Sequence, residues 1–213
     1  MKSISCRRSA LNGIDRADLS FIMGLTGLEG LSFNDGRPVP ETIRTEAGLQ
    51  WNDRGLLAFF RGRFITLRGE TILPPGVLEQ KTKHLWEKSD VFELFVGPGA
   101  AESRMYKEFQ VAPNGEWIDI DVFLALGTSN HDWYSGCAMR SFVDEGERRW
   151  CAVMELPWTC FGARPETERP WYVNFYRASG AFHGDELLAW SPVGTGPKCF
   201  HRPEHFGRIE FIE

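Results

Sequence analysis

The sequence lacks both a long hydrophobic run and an excess of positive charge. A helix that crosses a bilayer needs about 20 consecutive apolar residues, and no apolar stretch approaches that length. The net charge of -5 at pH 7 argues against nucleic acid or an anionic membrane surface as the main partner. The N-terminus has basic residues but no apolar segment of the kind found in export signals. The sequence as written therefore predicts a cytoplasmic protein, or a secreted one whose leader has been removed, and it leaves the oligomeric state open.

Cysteine and histidine are few, and their spacing does not indicate a disulfide framework or a metal site. The five cysteines include no CxxC pair, which fits reduced thiols. His201 and His205 are four residues apart, but Pro203 lies between them. Proline disfavours the helix on which this spacing would bring two metal ligands together.

The usual catalytic signatures are also missing. There is no GxSxG elbow, HExxH helix, Walker loop or GxGxxG motif, so hydrolase, zinc peptidase and nucleotide-binding interpretations lose their usual support. Carboxylates are present, and a glycosidase needs two of them about 5 to 10 Å apart across a cleft. The candidates for such a pair are Glu93, Glu108, Asp119 and Asp121. The alternative is a polar sheet face that charge keeps soluble.

Strands dominate the pattern of the chain. Beyond the first thirty or so residues, short apolar or alternating segments are separated by turn residues, with almost no helical periodicity. This predicts an all-β protein, an antiparallel β-sandwich of the immunoglobulin-like or jelly-roll kind, with one short helical turn at 157–162. We expect a sandwich domain over 33–213 and an N-terminal extension over 1–32 that packs on the sandwich or completes it. Residues 65–89 and 123–136 are expected to form long loops.

The end of that extension is apolar and punctuated by glycine. It reads "LSFIMGLTGLEGLSF" from Leu19 to Phe33. We expect a strand here, either one that closes a sheet or an edge strand that pairs with another copy of the chain.

A hairpin at 106–122, "YKEFQVAPNGEWIDIDV", is the strongest local signal. Asn114 and Gly115 form the dipeptide that two-residue hairpin turns prefer, and alternating runs flank it. Because side chains alternate across a strand, we expect the hairpin to have a polar face and an apolar face. The polar face would collect carboxylates, an amide and two aromatics, namely Tyr106, Glu108, Gln110, Trp117, Asp119 and Asp121.

Eight tryptophans are many for a chain of this length. Trp150 and Trp171 alternate in phase with apolar neighbours and are expected in the core. Trp86 lies in a polar segment, so we expect it to be exposed. An exposed aromatic ring stacks on the C–H face of a pyranose, and nearby carboxylates and amides bond to the sugar hydroxyls. The combination predicts a neutral, hydroxyl-rich ligand.

Oxygen-bearing side chains in turns raise the separate question of calcium. Calcium binds carboxylate, amide and carbonyl oxygens, and the candidate ligands are Asn34, Asp35, Asn130 and Asp132. Neither pair follows an EF-hand spacing. Turn formation explains these residues without a metal.

Seven segments between about Glu46 and the C-terminus occur in a distinctive order. They are "LQWNDRGLLAFF", "LWEKSDVFELFVGP", "YKEFQVAPNGEWID", "WCAVMELPWTCFG", "WYVNFYR", "AWSP" and "FHRPEHFG". In this order they resemble the family 9 carbohydrate-binding modules (CBM9), a β-sandwich family related to DOMON domains and first met as appendages of xylanases.

The resemblance implies a non-catalytic module associated with hydrolases and polysaccharide catabolism. Such a module grips sugar chain ends between two aromatic side chains, with calcium in a structural role. The positions that match the family's binding residues are Trp86, Glu93, Gln110, Asn174 and Phe200. Phe200 stands where the family has Trp and Gln110 where it has Arg, so the aromatic clamp is smaller and a cation is lost.

These observations leave more than one function open. The first is carbohydrate binding without catalysis, with a mono- or oligosaccharide or a glycan chain end as the partner. The second is a sugar-acting hydrolase or lyase that uses paired carboxylates on the same sheet face. DOMON relatives that hold haem between Met and His suggest a third, but Met154 is expected in the core and no His is clearly paired with it. No cofactor other than structural calcium is implied.

Overall fold

A computed structural model describes residues 1–69, 81, 85–162, 164–165, 169–179, 187–194 and 200–213. Over these residues the predicted all-β fold is confirmed, with fourteen strands. In chain order, β1 to β14 are Ser3–Arg8, Glu29–Gly30, Ser32–Phe33, Thr45–Trp51, Gly55–Arg63, Val91–Pro98, Met105–Val111, Trp117–Phe123, Thr128–Asn130, Ala138–Asp144, Arg149–Pro157, Trp171–Ala178, Leu188–Ala189 and Gly207–Ile212.

Helical structure within the described part of the chain is confined to short pieces. Three are α-helical, with α1 to α3 at Leu19–Gly24, Leu85–Lys88 and Ala100–Ser103. The 3-10 turns are Ile14–Arg16, Glu41–Ile43, Leu124–Leu126, Trp158–Phe161 and Pro203–His205. The helical turn expected at 157–162 is therefore confirmed, although the sequence reading missed the others. No helix among the described residues combines the length and apolar character needed to span a bilayer.

The strands follow one hydrogen-bonded path, β10-β11-β5-β4-β1-β14-β12-β6-β7-β8-β9. Neighbours on this path are antiparallel, except that β1 pairs parallel with both β4 and β14. Ser3–Arg8 thus occupies a position in the middle of the strand order.

The path folds over on itself, so that side chains from its two halves meet in the main core. Phe92 on β6 stacks on Trp150 of β11 with ring centroids 3.7 Å apart, and on Phe60 of β5 at 4.9 Å. Trp150 and Trp171 are both buried there, as predicted. Met154 belongs to the same core and is fully buried.

The outer face of β5 and β11 is covered by the N-terminal region. β5, "GLLAFFRGR", is apolar on consecutive residues rather than alternate ones, because Phe60 faces the main core while Phe59 faces Ile14 and Ile22. A strand covered on both faces has this continuous pattern. Burial of this second layer fixes residues 11–28 against the sheet.

The prediction of a strand within Leu19–Phe33 is wrong for the first part of this segment. Leu19–Gly24 forms α1, and Asp18 caps it by accepting a hydrogen bond of 2.7 Å from the backbone N–H of Phe21. An Asp at this position satisfies one of the free N–H groups of the first turn. Only the four residues of β2 and β3 are extended strand.

The hairpin between β7 and β8 forms, but its turn is longer than two residues. Val111 pairs with Trp117, so the loop comprises residues 112–116. Gly115 has a φ of 87° and donates its N–H to the carbonyl of Ala112. The resulting register places Glu108 opposite Ile120 and Gln110 opposite Ile118. The expected common polar face is therefore wrong, since Asp119 and Asp121 lie on the other side of the sheet.

The two predicted long loops have different outcomes. Residues 123–136 are not simply a loop, because they contain the 3-10 turn Leu124–Leu126 and the short strand β9, which pairs with β8. The other, 65–89, includes residues 70–80 and 82–84, which lie outside the described residues. Its described end carries α2.

Four cysteines lie in the described part of the chain, and all are free thiols, as expected. Burial raises the pKa of Cys137 and Cys151 to about 12. Protonated thiols are poor nucleophiles and poor metal ligands, so these two are structural. Cys199 lies outside the described residues.

Candidate ligand-binding site

A cavity of about 550 Å³ lies on the outer face of the sheet formed by β12, β6, β7 and β8. Its floor consists of strand side chains that point away from the main core. Its sides come from α2, from residues 124–131 after β8, and from the segment that begins at Phe200. Antiparallel sheets often leave one face open in this way.

Three polar side chains form part of the floor. Glu93 on β6 pairs in register with Gln110 on β7, and Glu108 lies two residues before Gln110 on the same face. All three are at most 4% exposed. Ile120 and Val122 of β8 continue the same face and give it an apolar side. The cavity thus combines hydrogen-bonding groups with an apolar surface, as small-molecule sites commonly do.

The two aromatic residues predicted as a clamp both line the cavity, but they differ in exposure. Trp86, on α2, is 37% exposed, whereas Phe200 is 8% exposed. The ring of Phe200 stacks on Tyr176 with centroids 4.0 Å apart and planes at 22°. One face of Phe200 is therefore covered by the protein, and the open aromatic surface belongs mainly to Trp86.

Asn174 does not line the cavity, although the family resemblance assigned it a place in the site. It is fully buried. Its amide donates to the Tyr176 hydroxyl (2.9 Å) and to the carbonyl of Ser191 (2.7 Å), and its oxygen accepts from the N–H of Ser191. The Tyr176 hydroxyl in turn donates to the carbonyl of Phe200 (3.0 Å). Asn174 thus acts on the site indirectly, by holding the residues that position Phe200.

The two floor carboxyls share an unusual electrostatic setting. Burial, and then the neighbouring Glu108, hold the pKa of Glu93 well above its usual range. Burial also raises the pKa of Glu108 to about 7, against a lowering effect of the hydrogen bond from Gln110. Burial and the neighbouring carboxyl thus both favour the protonated form of Glu93, which can donate as well as accept a hydrogen bond.

Gln110 connects this pair to the rest of the floor. Its Nε2 donates to Glu108 Oε1 at 2.7 Å, while its Oε1 is buried without a hydrogen-bond partner. A buried acceptor of this kind is uncommon in native proteins and needs an explanation, such as water or a ligand.

His201 is part of the site, although the sequence analysis considered it only as a possible metal ligand. His201 lines the cavity, and its Nδ1 is 2.6 Å from the Tyr106 hydroxyl. Burial lowers the pKa of His201, so it is neutral at pH 7. Among the residues that the structure describes, no group of three or more His, Cys, Asp or Glu side chains could hold a metal ion.

Asp119 and Asp121 have separate roles on the opposite face of β8. Asp119 is fully buried, pairs with Lys81 at 2.9 Å and accepts the backbone N–H of Ser135 at 2.6 Å. Asp121 pairs with Lys107 at 2.6 Å. The structure therefore brings Glu93 and Glu108 together in the cavity and leaves the other two candidate carboxylates outside it.

The candidate calcium ligands do not converge on one site. Asn34 is buried, and its side chain bonds to the backbone of Val193 and Gly194. Asp35 forms an ion pair with Arg37, and Asn130 accepts the backbone N–H of Asp132. Oxygens of Asn34, Asp35 and Asn130 therefore serve turns and an ion pair, and a calcium site at these residues stays a prediction.

No family model matches the chain. A curated relative, an "Extracellular protein" of Arthroderma benhamiae, is 24% identical over 144 residues, which are 60% of this chain. The match spans 63% of the length of that relative.

Solved structures resemble the chain over almost its whole length. A candidate carbohydrate-binding protein of Bacteroides uniformis has a TM-score of 0.72 and 19% identity, and 99% of each chain is covered. A CBM9 module of Caldicellulosiruptor kristjanssonii, solved with cellotriose, has a TM-score of 0.63 and 10% identity over 99% of this chain and 94% of that one. The chain has the CBM9 fold. The same module solved with glucose gives a TM-score of 0.60 at 10% identity, over 99% of this chain and 95% of that one.

Within this CBM9 fold, several cavity residues escaped the sequence reading. Leu124, Thr128, Ser129 and His131 line the cavity from the segment after β8. That segment was read as a loop, and only the pairing of β9 with β8 shows that it turns back over the sheet face. Its length was the sole signal, because long segments in compact domains are often functional.

Proposed function

We propose that the protein binds carbohydrate, a mono- or oligosaccharide or a glycan chain end, in the cavity over β6 and β7. The observation that carries the proposal is that Glu93, Glu108 and Gln110 line one cavity together with the partly exposed Trp86. A pyranose presents hydroxyl groups at its edge and C–H groups on its face. Carboxyl and amide groups suit the hydroxyls, and an aromatic ring suits the C–H face.

The solved neighbours support this proposal. The Caldicellulosiruptor kristjanssonii module, which has the same fold, was solved in complex with cellotriose and with glucose. By the same analogy we propose a role in polysaccharide catabolism. The name of the Arthroderma benhamiae relative suggests that this role is extracellular, and detection of the protein in the culture medium of its host would test that part.

Calorimetric titration with glucose, cellobiose, xylobiose and their reduced alditols tests sugar binding. We expect saturable heat in the wild type. We expect Trp86→Ala to lose about tenfold or more in affinity, because stacking of a ligand on an aromatic side chain contributes about 1 to 3 kcal/mol. Tyr134→Ala is the matched control, since Tyr134 is 65% exposed and does not line the cavity. Equal losses in both variants, or no heat with any sugar, would overturn the proposal.

Catalysis is the alternative outcome of the same experiment. Glu93 and Glu108 both lie in the cavity, but they project from neighbouring strands of one sheet. Glycosidases place their two carboxyls on either side of the scissile bond. New sugar products, lost in Glu93→Gln and in Glu108→Gln, would assign the protein as a hydrolase or lyase instead of a binding module.

A further inference from the structure

The floor of the cavity carries acidic groups that have no positively charged partner among the described residues that line it. Among its described lining residues are two carboxyls and no Lys or Arg. His201 lines the cavity and is hydrogen-bonded to Tyr106, and burial keeps it neutral by lowering its pKa. No hydrogen bond or ion pair joins Glu93 to another described residue. A buried carboxylate without a counter-ion is energetically costly, and a bound cation would remove that cost.

Other buried carboxyls of the protein do have partners. Asp119 pairs with Lys81 at 2.9 Å. Glu155 pairs with Arg54 at 3.0 Å and accepts the N–H of Ile14 at 3.1 Å. Within the described part of the chain, the lack of a cation beside Glu93 is therefore a local property of the cavity.

Gln110 provides a second and independent observation. It is 2% exposed, lines the cavity, and has a buried Oε1 with no hydrogen-bond partner. One N–H of its amide donates to Glu108, and the buried atom that lacks a partner is an acceptor. The unmet need of the floor is for donors and for positive charge.

We propose that the sugar bound in this cavity carries a protonated amine, as a 2-amino-2-deoxyhexose does, with its ammonium group bound by Glu93 and Glu108 and a donor directed to Gln110 Oε1. This inference rests on the proposed carbohydrate-binding function. An ammonium group has three N–H donors and one positive charge, which match the acceptors and the negative charge available on this floor. A neutral sugar supplies the donors but not the charge.

Binding of an amine at this position releases protons. Because burial raises the pKa of Glu93 and that of Glu108, the free pair binds protons more readily than exposed carboxyls do. The ammonium stabilises the carboxylates, so protons leave to solvent as the ion pair forms. The titratable groups that face the pair are His131 and His201, with Tyr106 behind His201, and Arg104 and Glu204 lie near Tyr106 at the rim. Affinity for an amino sugar is thus expected to rise from pH 5 to pH 7, whereas affinity for glucose is not.

Titration of the wild-type protein with glucosamine, N-acetylglucosamine and glucose tests the proposal. We expect glucosamine to bind about tenfold or more tightly than the other two, because a charged hydrogen bond contributes about 1.5 to 3 kcal/mol. Repetition at pH 6.5 in two buffers of different ionisation enthalpy measures the protons released. We expect a net release of protons for glucosamine and none for the neutral sugars.

Glu93→Gln keeps the shape of the side chain and removes its charge. We expect it to lose about tenfold in glucosamine affinity and its proton release, with glucose affinity changed less than about threefold. Glu87→Gln is the matched control, because Glu87 is exposed on α2 beside Trp86 and does not line the cavity. The wild-type proton measurement needs no variant, so it decides the matter even if Glu93→Gln fails to fold.

The possible outcomes separate the two proposals. The proposal of a protonated amine would be overturned if glucose or N-acetylglucosamine bound as tightly as glucosamine, or if glucosamine bound without proton release. Either result would leave the proposed carbohydrate binding in place. No saturable heat with any sugar, including the neutral oligosaccharides, would overturn both.

Discussion

Two buried carboxyl sites lie on opposite faces of neighbouring strands, and they differ in the charged groups around them. Asp119 on β8 faces the sandwich interior, where Lys81 and the N–H of Ser135 neutralise and bind it. Glu93 and Glu108 face the cavity, where their described neighbours include no cation. Buried polar groups are normally satisfied, so the satisfied site indicates a structural role and the unsatisfied one indicates a ligand.

Removal of Asp119 gives the largest expected loss of stability. Asp119→Ala leaves the buried ammonium of Lys81 without its counter-ion, and breaking a buried pair in this way costs about 3 to 5 kcal/mol of unfolding free energy. Chemical denaturation measures the loss. Asp53→Ala is the control, since Asp53 pairs with Arg8 at 2.6 Å but is 78% exposed, and exposed pairs contribute at most about 1 kcal/mol. Equal costs for the two variants would remove the contrast between the sites.

The cavity carboxyls are expected to destabilise the protein as pH rises. Because the pKa of Glu108 is raised from 4.5 to about 7, the folded state binds more protons than the unfolded state between these two values. The unfolding free energy therefore falls across this range, by roughly 2 to 3 kcal/mol, and levels off above it.

Denaturation at several pH values tests that slope. Glu108→Gln should reduce it, and Glu87→Gln should not, since Glu87 is exposed. The same slope in the wild type and in Glu108→Gln would show that Glu108 does not titrate over this range, in conflict with its raised pKa.

The Tyr176 hydroxyl is expected to have a smaller effect. Tyr176→Phe keeps the ring stacked on Phe200 but removes the hydroxyl that links Asn174 to the Phe200 carbonyl. The loss of this buried link should cost about 1 kcal/mol of unfolding free energy. Tyr134→Phe, at an exposed position, should cost nothing measurable, and a Tyr176→Phe variant as stable as wild type would show that Phe200 is positioned by other contacts.

Trp86→Ala is expected to have the smallest effect on stability and a large effect on ligand affinity. Trp86 is 37% exposed, and substitutions at exposed positions usually change the unfolding free energy by less than about 0.5 kcal/mol. Thermal denaturation of the variant without ligand measures this. A loss of several kcal/mol would show that the ring supports the fold, so that its effect on binding could not be read as contact with the sugar.

The sequence predicted which residues line the site better than it predicted how they are arranged. Trp86, Glu93, Gln110 and Phe200 came from the family resemblance, and all four line one cavity. Their part in binding stays a prediction, as does the division of the chain at residue 32.

The wrong prediction for the hairpin concerns its register, which the sequence did not determine. A two-residue turn at Asn114 and Gly115 would have placed Glu108 on the same face as Asp121, whereas the observed pairing of Val111 with Trp117 shifts the register by one residue. A shift of one residue moves every side chain of a strand to the other face. This is why the polar set divides between the cavity and the sandwich interior.

By itself, the sequence determined the all-β class, the helical turn near 157–162 and the burial of Trp150 and Trp171, because these depend on alternation and turn chemistry within short segments. Only the tertiary structure decided which carboxyls share a face, which of them meet a cation, and that Phe200 is covered by Tyr176 while Trp86 is 37% exposed. The physical reason is that strand register and the approach of distant segments are set by pairing across the whole sheet, and the free energy of a buried charge depends on what that pairing places beside it.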